Sequence, residues 1–583
     1  MNIKHFIFCA AALAALASCS GLKDGDYRLV VLSTNDVHST WFDSTYVGGG
    51  IRQSLFAMNH YIDSVRAAEG DANVLLVDAG DCLQGDNAAY YYNYVDTVTP
   101  HLFPRLLKYM RYDAVAVGNH DIETGHPVYD RVTKDLKKAG ADFLAGNAVR
   151  TDNGQPYFPL YKMVRKAGLR IAILGYTNAN IRAWLSPTLW SGMEFVSVAS
   201  IIQRDVDMVR AKEHPDIVVA TMHSACGQGD GTILEAEALD AFNSVSGVDF
   251  LVCGHDHRPY VETRDSCALL NSGSHSRFVA HGTLDLKVSG GKIVSKKFST
   301  DLIPVRAADA DPVMRETFRK DFEAVKAFTL TEVGVLNTDL VTRDAYKGMC
   351  DYMNLIHTVS LGCAPAQISF AAPLTYDGKV KSGILLFNDL FTIYPFENQL
   401  YVVPLKGSQV QSYLETSYDK WIRTVSRPGD HVLNIQNVDD PRTRQRGWSF
   451  VERAYNFDSA AGICYTVDIT KPFGSRVEIS SMASGEPFDP EKTYNVAMTS
   501  YRASGGGGLL QEGAGVDTGR IDDMVVERYP EIRNLIYDYL MENGSIDPET
   551  VGDPKVIGSW KFVPEKLAAE TLETDMKLLF GSK

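Results

Sequence analysis

Val74-Leu75-Leu76-Val77-Asp78-Ala79-Gly80-Asp81 runs four apolar residues into two carboxylates set around Ala-Gly. A short apolar run stopped by such a turn reads as a buried strand. The carboxylates therefore stand where a rigid sheet gives way to a loop. The same construction recurs four times outward from this stretch. Leu29-Val30-Val31-Leu32 leads into Asn35-Asp36-Val37-His38, and Ala114-Val115-Ala116-Val117 into Gly118-Asn119-His120-Asp121. Ile217-Val218-Val219-Ala220 leads into Thr221-Met222-His223, and Phe250-Leu251-Val252-Cys253 into Gly254-His255-Asp256-His257.

Ligands of α/β folds collect at the carboxyl ends of strands. Residues two apart on extended chain point the same way, so Asp36 with His38, and His255 with His257, are expected to converge in pairs. Carboxylate, amide oxygen and imidazole suit divalent Zn, Mn, Fe or Mg, and no thiolate is required. An isolated Asp-x-His is more often a surface turn, and a lone histidine such as His223 is usually hydrogen-bonded and inert. The repetition of the pattern after five apolar strands is what carries the inference. The pattern from Tyr27 to about Leu302 alternates strands with helices, which predicts layered α/β architecture. Asp311 to Thr329 reads as an amphipathic connecting helix, and a mixed α/β pattern follows from about Glu332.

These motifs resemble the calcineurin-like metallophosphoesterases and, among them, the two-domain 5′-nucleotidase family. The resemblance implies an N-terminal four-layer α/β/β/α domain over residues 27–310, a linker over 311–330, and an α+β substrate-binding domain over 331–583. It also implies two divalent metal ions, one held by Asp36, His38, Asp81 and His257, the other by Asp81, Asn119, His223 and His255, with Asp81 bridging. Such ions polarise a phosphate ester and activate water for in-line attack. His120 matches the family histidine that serves the transition state or leaving group. Its usual aspartate partner is replaced by Glu123, and Asp121 is expected to be a supporting residue.

In the second half, Tyr394-Pro395-Phe396-Glu397-Asn398-Gln399-Leu400 and Ser500-Tyr501-Arg502-Ala503-Ser504 stand out. From composition alone the rings would be core residues. The resemblance makes Phe396 and Tyr501 the clamp for a nucleobase, a stacking mode that tolerates several bases. It places Asn398 near the base or ribose. Arg502 is expected either to meet phosphate or to cap its loop. The stretch Ile368-Ser369-Phe370-Ala371-Ala372-Pro373-Leu374 has no phosphate-binding arginine of the 5′-nucleotidase type. Together with Tyr455-Asn456-Phe457-Asp458 and Tyr465 to Pro472, it is similar to the 2′,3′-cyclic-nucleotide 2′-phosphodiesterase/3′-nucleotidases. Hydrolysis of 2′,3′-cyclic nucleotides and 3′-nucleotides is the expectation, with 5′-nucleotides or UDP-sugars as the alternative. The family's domain motion places a candidate hinge in the 311–329 helix.

Length and charge agree with this organisation. At 583 residues the chain exceeds one ordinary core. Its formal charge of −15 argues against a nucleic-acid polymer as partner. Lys4 and the apolar run Phe6 to Ala17 read as a signal-peptide core, too short to cross a bilayer as a helix. Leu16-Ala17-Ser18-Cys19 is similar to a bacterial lipobox. It implies a signal at 1–18, a lipidated Cys19, a tether over 19–26, and an exported protein anchored to a membrane on its periplasmic side or at the cell surface. Of nine cysteines, the seven beyond Cys9 and Cys19 show no CxxC spacing, so neither a disulfide framework nor a zinc ribbon is indicated. A serine hydrolase is disfavoured because Ser272 and Ser274 lack a Gly-x-Ser-x-Gly elbow. A non-catalytic nucleotide-binding surface protein is disfavoured because every metal-ligand position is filled.

Overall fold

Extended backbone sends successive side chains to opposite faces, and the apolar runs use this to build two cores at once. The computed structural model of the chain describes residues 22–427, 429–440 and 445–581. In β1 (Gly25–Thr34), Leu29 and Val31 face one core while Val30 and Leu32 face another. In β2 (Val74–Asp78), Leu75 and Val77 share the first core, and Val74 and Leu76 the second. The strands that follow are β3 (Ala114–Ala116), β4 (Phe143–Leu144), β5 (Tyr161–Lys166) and β6 (Leu169–Tyr176). After them come β7 (Ile217–Met222), β8 (Phe250–Val252), β9 (Tyr260–Thr263), β10 (Ala268–Asn271), β11 (Phe278–Ser289) and β12 (Lys292–Pro304).

They form two six-stranded sheets, in the orders β12-β11-β1-β2-β3-β4 and β9-β10-β8-β7-β6-β5. The strands leading to the candidate ligands are parallel within each sheet, so their carboxyl ends lie at one edge of the layers. The sheets pack face to face through Leu29, Val31, Leu75, Val77, Ile171, Val219 and Phe250. Helices α1 (Leu55–Glu69), α2 (Leu102–Met110) and α3 (His126–Ala139) cover the outer face of the first sheet. Helices α4 (Val198–Glu213) and α5 (Ala238–Ser244) cover the second. This is the α/β/β/α arrangement that the resemblance implied. Each Val or Leu fully buried in these layers contributes about 1.5–3 kcal/mol, so the edge that carries the site is rigidly supported.

The connector differs from the single helix read from the sequence. It is two helices, α6 (Pro312–Thr317) and α7 (Arg319–Thr329), broken at Phe318. Met314, Phe318 and Val325 are buried in the core beneath the first sheet. Asp321 accepts a hydrogen bond from Tyr92 and pairs with Arg105. The pair is therefore packed onto the first domain over most of its length, and a hinge within 311–329 would have to break that packing. In the last turn of α7, Phe328 stacks with Tyr90 and contacts Phe387, joining the two halves.

The second half is built on β13 (Ile368–Ala371), β14 (Gln399–Lys406), β15 (Ser459–Ala461), β16 (Thr493–Thr499) and β17 (Glu527–Glu531), in the order β15-β13-β16-β14-β17. Alternation again divides its faces. Tyr401, Val403, Val496 and Met498 lie in one core, and Leu400, Val402 and Ala497 in the other. Helix α9 (Gly407–Trp421) packs in the first of these cores, and α8 (Asp351–Cys363) and α10 (Ile532–Asn543) in the second. No helix of the described residues is long and apolar enough to cross a membrane. Cys19 and the signal segment lie outside the described residues.

Candidate active site

The ends of β1, β2, β3, β7 and β8 bring the candidate ligands into two groups. Asp36, His38 and His257 form the first, and Asp81, His223 and His255 the second. In the first, the Nε2 atoms of His38 and His257 are 2.9 Å apart, and Asp36 Oδ1 is 3.4 Å from His257 Nε2. In the second, Asp81 Oδ2 is 3.0 Å from His223 Nε2, and Asn119 Oδ1 is 3.0 Å from His255 Nδ1. Six of the seven sequence-selected residues fall in these two groups, Asp81 in the second, and Asn119 lies beside His255.

The convergence is not reached as the sequence reading expected. Asp36, His38, Asp81, His255 and His257 all have positive φ, between 44° and 76°. They lie on left-handed loop backbone rather than on strand continuing beyond the sheet, and His255 and His257, expected to converge as a pair, part between the two groups. That conformation is strained for residues with a Cβ and concentrates at functional sites. Glycines make the room: a Cβ on Gly118 would lie 2.1 Å from Asp81 Oδ1, and one on Gly254 would lie 2.5 Å from Asp36 Oδ2.

Second-layer contacts fix the donor atoms. Asp36 Oδ2 accepts from Asn35 Nδ2 (2.7 Å) and from the His255 backbone N–H (2.9 Å). Asn35 is itself held by Gly273 O and by the hydroxyl of Ser272, so Ser272 is a buried support and not a nucleophile. Asp121 accepts from the backbone N–H groups of Gly118, Asp81, Cys82 and Leu83 at 2.8–3.0 Å. It supports the Asp81 loop, as expected. The Nδ1–H of His223 donates to Ala79 O at 2.8 Å, which leaves Nε2 as the free lone pair. Trp184 stacks on His255 with centroids 5.0 Å apart. Asn35, Gln84 and Trp184 were not singled out by sequence, because nothing in their spacing separates them from ordinary loop residues.

Two buried atoms at the centre of this arrangement, Asp36 Oδ1 and His223 Nε2, make no hydrogen bond of good geometry and face other ligand atoms, His257 Nε2 at 3.4 Å and Asp81 Oδ2 at 3.0 Å. Leaving such groups unpaired is costly, and each is a ligand atom aimed at its own group. The donor set therefore fits two divalent cations. Burial works against ionisation of Asp81, but the histidines beside it, His223 foremost and then His120, outweigh it and hold the carboxylate ionised.

His120 lies beside these groups. Its backbone N–H donates to Asp81 Oδ1 (2.8 Å), and its Nδ1 is 2.5 Å from Glu123 Oε2. The longer carboxylate thus reaches the imidazole. Burial disfavours the imidazolium, yet Asp81 and Glu123 raise His120 to about 10. From the second half, Phe396 stacks on His120 with centroids 6.1 Å apart and planes 19° apart. Tyr501 meets Tyr455 edge-on, and its ring packs against the core of the first domain. Asn398 is part-buried, four residues beyond Tyr394 on the segment that carries Phe396.

Arg502 departs from the substrate-contacting role given to it in the site. It is buried and pairs with both oxygens of Asp458 (2.7 and 3.0 Å), and also donates to Tyr455 O, Gly506 O and Asn456 Oδ1. With its donors engaged inside the protein, it locks the Tyr455–Asp458 and Ser500–Ser504 segments together. Of the two roles open to it, the structure supports the loop cap.

Comparison with known proteins settles the lineage. Residues 29–259 match the calcineurin-like phosphoesterase family, and residues 329–512 match the 5′-nucleotidase C-terminal domain. This chain is a two-domain metallophosphoesterase of the 5′-nucleotidase family. Membership makes it a metal-dependent phosphoester hydrolase of the nucleotide phosphoesterase group. The metallophosphoesterase is 25% identical to a 2′,3′-cyclic-nucleotide 2′-phosphodiesterase/3′-nucleotidase of Haemophilus influenzae, over 97% of this chain and 92% of that protein. It is 23% identical to the trifunctional nucleotide phosphoesterase YfkN of Bacillus subtilis over 94% of its own length, spanning 40% of that longer protein. Its fold matches the putative 5′-nucleotidase of Staphylococcus aureus with a TM-score of 0.75 and 21% identity, covering 92% of this chain and 99% of that one.

Proposed function

We propose that this metallophosphoesterase hydrolyses 2′,3′-cyclic nucleotides to 3′-nucleotides and then removes the 3′-phosphate to leave nucleosides. The observation that carries the reading is the stacking of Phe396, from the second domain, on His120 beside the two ligand groups. It sets a base-binding surface within one nucleotide's reach of the phosphate chemistry. Asp36, His38, Asp81 and His257 would hold one cation, and Asp81, Asn119, His223 and His255 the other. Two divalent cations there supply neutralisation of phosphate charge and activation of water. Glu123 fixes the His120 ring through Nδ1, so Nε2 is the nitrogen left to serve the departing oxygen. Phe396 and Tyr501 contact the base, and Asn398 the base or ribose.

The preference for cyclic and 3′ esters rests on residues 368–374, which lack an arginine, and on the likeness of Tyr455–Asp458 and Tyr465–Pro472 to the 2′,3′-cyclic-nucleotide enzymes. The proposal includes export and lipid anchoring at Cys19, supported by the apolar run and the lipobox-like Leu16 to Cys19.

The test is a product-resolved assay of the protein lacking residues 1–19, with Mn added, on 2′,3′-cyclic AMP, 3′-AMP, 5′-AMP and a UDP-sugar. The expected result is turnover of the first two, abolished by chelation. Preference for 5′-AMP or the UDP-sugar would overturn the substrate assignment while leaving the chemistry in place.

A further inference from the structure

We infer that Gln84 is a positioning residue that ties the seating of the second domain to the orientation of His38. The inference rests on the two-cation nucleotidase reading above. Gln84 is buried three residues beyond Asp81, and its amide faces both domains. On one side Oε1 lies 3.2 Å from His38 Nδ1. On the other Nε2 donates to the carbonyl of Pro395 at 3.2 Å. An amide oxygen only accepts, so His38 carries its proton on Nδ1. Its Nε2 lone pair is thereby directed toward Asp36 and His257, as second-layer acceptors do for metal-binding histidines.

Pro395 belongs to the segment that carries Phe396, and that segment is braced from behind. Arg533 Nη1 donates to the carbonyls of Tyr394 and Pro395, both at 3.1 Å, and the guanidinium pairs with Glu397. The same guanidinium lies 4.1 Å from the Phe391 ring centroid and 5.2 Å from that of Tyr90. The base-binding segment is thus a braced unit, and through Gln84 it bears on a metal-ligand imidazole. The Gln84 amide also neighbours the Glu397 carboxylate. Glutamine suits this position because one amide accepts on the His38 side and donates on the other. A glutamate would keep the first contact, lose the second, and set a carboxylate against Glu397.

The test compares 2′,3′-cyclic AMP with bis(p-nitrophenyl) phosphate, a diester without a base, using the Mn-loaded protein, Gln84→Glu and Gln84→Ala. The quantity read is the ratio of kcat/KM on cyclic AMP to kcat/KM on the bis-ester. Gln84→Glu is expected to lower this ratio at least tenfold. Gln84→Ala, which also loses the His38 contact, is expected to lower turnover of both esters below that of Gln84→Glu. An unchanged ratio in Gln84→Glu, or bis-ester turnover as high in Gln84→Ala as in Gln84→Glu, would overturn the inference. Wild-type protein that turns over the bis-ester but not cyclic AMP would overturn the nucleotidase reading and this inference with it, a result seen before any variant is compared.

Discussion

Asp81 is where the site is most concentrated: its Oδ2 faces His223 and its Oδ1 receives the His120 backbone N–H. Asp81→Ala should lower turnover by ~10³-fold or more, about 4 kcal/mol of transition-state stabilisation. Steady-state kinetics with 3′-AMP would show it, and substantial residual activity would contradict the assignment. His120→Ala should cost ~10²–10⁴-fold, the usual range for a proton-transferring group. Glu123→Gln should cost roughly tenfold, because an amide still orients the ring without its charge. Equal losses in those two variants would show that Glu123 does more than orient. The candidate ligands were legible in the sequence because the pattern of an apolar run ending in a metal-binding side chain occurs five times. Their left-handed backbone was not legible, since Asp36, His38 and His257 carry no local mark of it. Nor was the support from Gln84, or the hold of Ser272 and Gly273 on Asn35, which depend on contacts far apart in the chain.

The Tyr455–Asp458 and Ser500–Ser504 segments behave as one structural unit. Their sequences suggested a substrate-binding surface but not the Arg502–Asp458 pair that joins them, because 44 residues separate the two. Both side chains are 3% exposed. Removing one partner of such a pair leaves a buried charge and costs about 3–5 kcal/mol. Arg502→Met should therefore lower the thermal midpoint markedly, as read by calorimetry, and a midpoint unchanged within a degree would contradict the loop-cap role. Phe396→Ala removes a ring without touching that unit. Loss of one stacking surface is worth about 1–3 kcal/mol per base. KM for 2′,3′-cyclic AMP should rise accordingly while turnover of bis(p-nitrophenyl) phosphate falls less. Equal loss on both substrates would count against base stacking.

A pH response belongs to α8 and the sheet beneath it. His357 is buried between Ser369 Oγ (3.1 Å) and Ser459 Oγ (3.2 Å), and burial pushes it down to about 3. It stays neutral in the fold, whereas in the unfolded chain it takes up a proton below about 6.5. Its contribution is complete above that pH and is lost as the pH falls from about 6.5 toward 3. Urea midpoints of His357→Gln should consequently fall less between pH 7 and pH 5 than those of wild type. Parallel curves would show that the imidazole is not the titrating group.

The two halves differ in how much of them could be read in advance. The first domain repeats a strand-then-ligand pattern along the chain, so its layered class and its site emerged together. The second mixes its strands, in the order β15-β13-β16-β14-β17, and sequence periodicity gives no pairing order. The connector was read as one helix because its apolar positions continue through Phe318, which the fold instead uses to anchor the chain in the first core. Across the domain boundary, Phe396 meets His120 and Gln84 meets Pro395, so the catalytic and base-binding surfaces face each other. The central claim is that this shared site works with two cations per chain. Its most direct test is to strip the protein with chelator and titrate Mn back while following 2′,3′-cyclic AMP hydrolysis and bound metal together. Turnover should rise with metal and level off at two equivalents per chain. Full turnover with one equivalent, or with none, would contradict the two-cation account.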